Sequence, residues 1–197
     1  MILIGLGNPG KKYASTRHNA GRMLVRWLRE EGRGKREEVG KKLTGFEMVE
    51  TDCFMNDSGE WIKNKMAAMA EMAKMVKSHE SPNHSSHSNC FNHLFIAQDD
   101  LDLALGSFKI HFGKGPQLHK GILSIEQALG TKDFWRIRIG VDNREEGRGK
   151  REEGEDYVLK PFKRDEKRIL LDAFSRIRDE MVLCIQNNNR YLQEICL

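Results

Sequence analysis

Apolar positions along this chain fall into two patterns: short unbroken runs, and stripes recurring every three or four residues. Ile2–Leu6 is the first run, stopped by Gly7-Asn8-Pro9-Gly10, and predicts a buried strand ending in a tight turn. Gly45–Thr51 predicts a second strand and Leu94–Gln98 a third, ending at Asp99-Asp100. Ser107–Phe112 and Trp135–Val141 predict a fourth and a fifth. The stripes predict helices. Ala20–Glu30 places Met23, Leu24, Trp27 and Leu28 on one side. Gly59 to Val76 follows Ser58 as a candidate N-cap and carries Met66, Met69, Met72 and Met75 as a packing stripe. His119–Leu129 turns Ile122, Ile125 and Leu129 inward, and Leu170, Phe174, Ile177, Met181 and Cys184 mark a long amphipathic tail helix. Strands separated by helices predict an α/β fold, a single domain whose mixed, mostly parallel sheet is flanked by helices.

Three stretches interrupt this alternation and read as loop insertions, near 29–44, 78–93 and 142–156. Arg29–Glu38 reads REEGRGKREE, and Arg144–Glu153 repeats the same ten residues; glycines among mixed charges predict solvated loops. The second stretch, SHESPNHSSHSNCFNH, is a polar linker. Its His84, His87, Cys90 and His93 recur every third residue and could close a tetrahedral zinc site, although uniform spacing differs from the usual paired ligands. The linker reading is preferred, with no metal assigned.

Composition adds little to the pattern. The 197 residues are 39% hydrophobic and 31% charged, with no apolar run near the 18–20 residues of a membrane span, which predicts a chain without a membrane partner. Met1 leads straight into the first strand without a basic leader, so no signal peptide is expected. Four scattered cysteines, Cys53, Cys90, Cys184 and Cys196, suit a reducing cytoplasm. Net charge is +4, a mild lean toward an anionic partner, and SFKIHFGKGPQLHK (Ser107–Lys120) has three lysines and no acid.

Candidate chemistry begins at GLGNPG, Gly5–Gly10, which fits a dinucleotide fingerprint. That reading needs a helix opening at the last glycine and an acid at the end of the next strand. Here helical periodicity starts only at Ala20, and Glu30 and Glu31 lie in a helix-to-loop stretch. The glycines are better read as a turn at a strand's carboxyl end, where α/β sheets place their sites. The turn presents Asn8, an amide that can donate and accept. His18 follows ten residues on, and Asp99 ends the third strand at the same edge, which makes His18 a candidate general base.

On these residues the chain resembles the bacterial-type peptidyl-tRNA hydrolases. GLGNPGKKYASTRHNAG is similar to that family's opening block, FMNDSG (Phe54–Gly59) to its second, and DDLDLALGSFKIHFGKG (Asp99–Gly115) to its third. LHKGILSIEQALGTKDFWRIRIGV (Leu118–Val141) is similar to its fourth, and YVLKPF (Tyr157–Phe162) follows. The resemblance implies hydrolysis of the ester between a peptide and the 3′ ribose of tRNA, with no cofactor and no metal, by a cytoplasmic monomer. It implies that His18 takes a proton from water and that Asp99 orients it. Asn8 contacts the peptide end, and Asn56 holds substrate or steadies the oxyanion. Tyr13, Phe54 and Met55 line the site, and His119 and Lys120 bind substrate. The family's fourth block usually reads G-G-H-N-G; here it is Gln117-Leu118-His119-Lys120-Gly121, and a lysine donates but cannot accept. The alternative is a catalytically weak or inactive RNA-binding homologue.

Overall fold

A computed structural model of the chain describes residues 1–33, 43, 46–77, 90–116, 118–144 and 154–194. Its elements run β1 (Ile2–Gly5), α1 (Ala20–Arg33), β2 (Glu47–Glu50), α2 (Ser58–Lys77), β3 (Leu94–Ala104), β4 (Phe108–Phe112), α3 (Lys120–Leu129), β5 (Trp135–Asp142), α4 (Gly154–Val158) and α5 (Arg164–Glu194). The five strands form one sheet in the order β2-β1-β3-β5-β4. β1 pairs parallel with β2 and β3, β3 pairs parallel with β5, and β4 is antiparallel to β5 at one edge.

Strand alternation divides the core in two. Leu3, Phe95, Ala97, Ile137 and Ile139 pack against Leu24, Val25 and Leu28 of α1 and Leu170, Phe174 and Ile177 of α5. Ile2, Ile4, Leu94 and Ile96 meet Ile62 of α2 and Ile122 and Ile125 of α3. Burying each such side chain contributes about 1.5–3 kcal/mol, so the central strands are apolar on both faces for a reason. α1 approaches the sheet closely because Gly21 has no side chain: a Cβ there would run into the backbone carbonyl of Ala97.

Four local expectations need correction. β3 does not stop at Asp99-Asp100 but continues to Ala104, because β5 pairs onward with Asp99, Asp100 and, across a register shift, Ala104. Ser58 does not cap α2. Its own backbone is helical, its hydroxyl donates to the Met55 carbonyl, and a 3-10 turn at Met55–Asp57 starts the helix instead. Part of the predicted insertion near 142–156 is structured: Asp142 closes β5, and α4 begins at Gly154. Arg29–Arg33, likewise assigned to a loop, complete α1. Residues 34–42, 78–89 and 145–153 lie outside the described residues, and with them half of the first REEGRGKREE copy, most of the second, His84 and His87.

Candidate active site

The parallel strands all end at one edge of the sheet, and their loops enclose a cavity of about 830 Å³ there. Gly10, with φ at 95°, turns the chain back after β1 in a conformation that favours glycine. The first turn of α1 lies ten residues further on, so the glycine turn does not open a helix onto a phosphate. The chain then runs through a 3-10 turn at Arg17–Asn19 that carries His18. Arg17 fixes this turn from behind. Its buried guanidinium meets Glu166 at 2.6 Å, donates to the carbonyls of Lys160 and Pro161, and stacks over the Tyr157 ring at 4.3 Å.

His18 and Asp99 are brought together. His18 Nδ1 lies 2.9 Å from Asp99 Oδ1 and 3.0 Å from Oδ2. A carboxylate only accepts, so Nδ1 carries the hydrogen and Nε2 is left with its lone pair. Asp99 is almost fully buried, with 3% of its side chain exposed. Burial alone would raise its pKa, but the two imidazoles beside it outweigh burial and hold the carboxyl well below its usual range. For His18, burial opposes the charged form; the charge and hydrogen bond of Asp99 overcome this and raise the pKa above its ordinary value.

The second imidazole belongs to His119, which the sequence placed in substrate binding. Its Nε2 meets Asp99 Oδ1 at 3.0 Å, while its Nδ1 accepts the Ile122 backbone N–H at 3.2 Å and so caps α3. A backbone N–H can only donate, so the His119 hydrogen sits on Nε2. His18, Asp99 and His119 also offer ligand atoms within 4.8 Å of one another, as a metal site requires. The tautomer imposed by Ile122 makes His119 a donor toward that point, not a ligand. Asp100, by contrast, is committed elsewhere: it pairs with Arg138 and accepts the Asp102 N–H.

Asn8 is held just as firmly. Its backbone N–H donates to Asn19 Oδ1 at 2.8 Å, and Asn19 Nδ2 returns a bond to the Asn8 carbonyl at 2.9 Å. Asn8 Oδ1 accepts the Met55 N–H at 2.9 Å, which leaves Nδ2 as the group that faces the cavity. Met55, Phe54 and the exposed Asn56 line the same cavity. Ser124 of α3 ties this segment down, donating to the Asn56 carbonyl at 2.7 Å and accepting the Gly59 N–H at 3.0 Å. Tyr13 is not in the lining; its ring meets Phe54 edge-on at 6.4 Å. Lys120 does reach the cavity, where its ammonium pairs with Glu155 of α4 at 2.8 Å.

Sequence reasoning therefore missed the second hydrogen bond on Asp99, the Asn19 clamp, Ser124 and Glu155. Asn19 was the most accessible of these, since a short amide beside His18 at a helix start is a frequent backbone clamp.

Comparison with known proteins follows the same outline. A family model described as peptidyl-tRNA hydrolase matches residues 2–195. A peptidyl-tRNA hydrolase of Thermodesulfovibrio yellowstonii is 33% identical over 193 residues, covering 94% of this chain and 92% of that protein. One of Coprothermobacter proteolyticus is 32% identical over 99% of this chain and 95% of its own length. A crystal structure of peptidyl-tRNA hydrolase from Acinetobacter baumannii shares the fold, with a TM-score of 0.67 at 24% identity, covering 95% of this chain and 89% of that one.

Proposed function

The chain belongs to the peptidyl-tRNA hydrolase family, and we propose that it hydrolyses the ester joining a peptide to the 3′ ribose of tRNA through a water activated by His18. The observation that carries the reading is the hydrogen bond between His18 Nδ1 and Asp99, which turns the Nε2 lone pair toward the cavity. Nε2 takes a proton from water as the water oxygen attacks the ester carbonyl. The carbonyl becomes a tetrahedral oxyanion, with the side-chain amide of Asn56 as its donor. When the intermediate collapses, the bond to the ribose oxygen breaks and the proton on His18 passes to that oxygen. The products are free tRNA and a peptide carboxylic acid, which loses its proton to solvent as a carboxylate, and His18 is neutral again. Asp99 stabilises the transient imidazolium and fixes its orientation.

Asn8 explains how blocked and free aminoacyl groups are told apart. Its Oδ1 is occupied by the Met55 N–H, so only N–H donors face the substrate. An N-acyl group offers them a carbonyl acceptor. A free α-ammonium offers only donors and is turned away. Phe54 and Met55 supply apolar contact for the peptide. Lys109, Lys114 and Lys120 are exposed on and after β4, where they meet tRNA phosphates independently of sequence. The reading also makes the chain a cytoplasmic monomer. No helix among the described residues is long and apolar enough to cross a membrane.

The test is deacylation of two substrates by purified protein. N-acetyl-aminoacyl-tRNA should lose its acyl group while the matching free-amine aminoacyl-tRNA is spared. Binding of both without turnover of either would make the chain an RNA-binding relative.

A further inference from the structure

Asn8 also lines a second, smaller cavity, of about 250 Å³. Gly10, Lys11, Asn19, Arg22 and Arg26 line it as well. Arg22, Arg26 and Arg29 form a stripe along α1 and converge on one carboxylate. Arg22 Nε meets Glu50 Oε2 at 3.2 Å, Arg26 Nη2 meets the same oxygen at 2.7 Å, and Arg29 Nη1 meets Oε1 at 3.3 Å. One carboxylate cannot neutralise three guanidinium groups, and Lys11 adds an exposed ammonium to the same lining. Nor does the stripe serve its own helix. Arg22 stands in the first turn of α1, which holds no acidic residue, and a cation there opposes the helix dipole.

We propose that this basic cavity is a phosphate subsite, which takes a backbone phosphodiester of the single-stranded 3′ end of the substrate tRNA. Asn8 walls both cavities, so a phosphate seated between Lys11 and Arg26 lies one side chain away from the ester. Arg22 is held by the Thr51 carbonyl at 2.6 Å as well as by Glu50, and is a fixed part of the lining. Arg26 and Lys11 are exposed and are the groups that close on the phosphate. The inference rests on the reading of the chain as a peptidyl-tRNA hydrolase.

The test uses deacylated tRNA titrated across a range of salt concentrations, with wild type, the Lys11→Gln/Arg26→Gln double variant and Arg26→Lys. Neutralising both charges should lower the slope of log affinity against log salt by about 0.7 per charge, the value for single strands, and raise KM for N-acetyl-aminoacyl-tRNA several-fold. Arg26→Lys keeps the charge and should keep the slope, which a purely structural role for the guanidinium would not predict; thermal melting checks that each variant is folded. An unchanged slope and KM in the folded double variant overturns the subsite. Inorganic phosphate that binds wild type but not the double variant, with the tRNA slope unchanged, also overturns it, since the cavity then serves free phosphate. A wild type that binds tRNA with the expected slopes but hydrolyses nothing leaves the subsite standing and removes the catalytic reading instead.

Discussion

Asp99 holds two imidazoles on one oxygen: His18 Nδ1 at 2.9 Å and His119 Nε2 at 3.0 Å both reach its Oδ1. The two histidines approach from different parts of the chain, one from the 3-10 turn before α1 and one from the N-cap of α3, and their rings lie 5.2 Å apart. Both donate to the carboxylate, so they compete for its charge while jointly fixing its position.

Asp99→Asn tests this directly. An amide offers a single acceptor atom and brings two hydrogens of its own, so it cannot satisfy both rings. Turnover should fall by about 10²–10⁴-fold, the range for loss of acid–base function. With the negative charge removed, imidazolium is disfavoured, and the acidic limb of the pH–rate profile should move down. An unmoved limb would mean that Asp99 does not govern His18.

His119→Ala predicts the opposite sign. Without the second donor, the charge of Asp99 acts on His18 alone, and the pKa of His18 rises further. The acidic limb should therefore move up, with kcat at its plateau reduced about tenfold because Asp99 is less well held. The same pH–rate measurement distinguishes the two variants.

How much of this was legible in the sequence differs from residue to residue. β1 and the first part of β3 announce themselves because they are buried on both faces, and the edge where they end located His18 and Asp99. The extension of β3 through Asp99–Ala104 was invisible: polar residues hold strand geometry there only because β5 pairs with them. The double use of Asp99 depends on α3 packing against the sheet, which no local pattern reports. His119 itself was visible, as the first residue of the predicted helix and as a substrate-binding residue implied by the resemblance, but its cap and its bond to Asp99 were not. Glu155 faces Lys120 across 35 positions of sequence (155 − 120) and a charged segment, and nothing in either residue's neighbourhood marks the pair.

That pair gives the third prediction. Lys120 opposes charge on His18 and Glu155 favours it. Glu155→Gln should therefore move the acidic limb down, and Lys120→Gln should move it up. Both side chains are exposed, so both shifts should be small and should fade as salt is raised. A shift that persists at high salt would show that the pair acts by holding α4 in place and not through its charge.

Asn8→Asp supplies the fourth. The carboxylate can still accept the Met55 N–H, so the fold should survive, but the donors that face the peptide are replaced by a negative charge. KM for N-acetyl-aminoacyl-tRNA should rise, and discrimination against the free-amine substrate should collapse, since an anion attracts the ammonium it once excluded. Steady-state kinetics on the two substrates check this. Retained discrimination would assign selectivity to another group.

The central claim is that Nε2 of His18 takes the proton from water. The most direct measurement compares single-turnover release of tRNA from N-acetyl-aminoacyl-tRNA by wild type and His18→Ala, at saturating protein and with tRNA binding measured in parallel. The account predicts a rate lowered by about 10²–10⁴-fold with binding preserved. A variant that binds tRNA equally well and keeps more than about a tenth of the wild-type rate would contradict it, because a general base is worth at least an order of magnitude more than that.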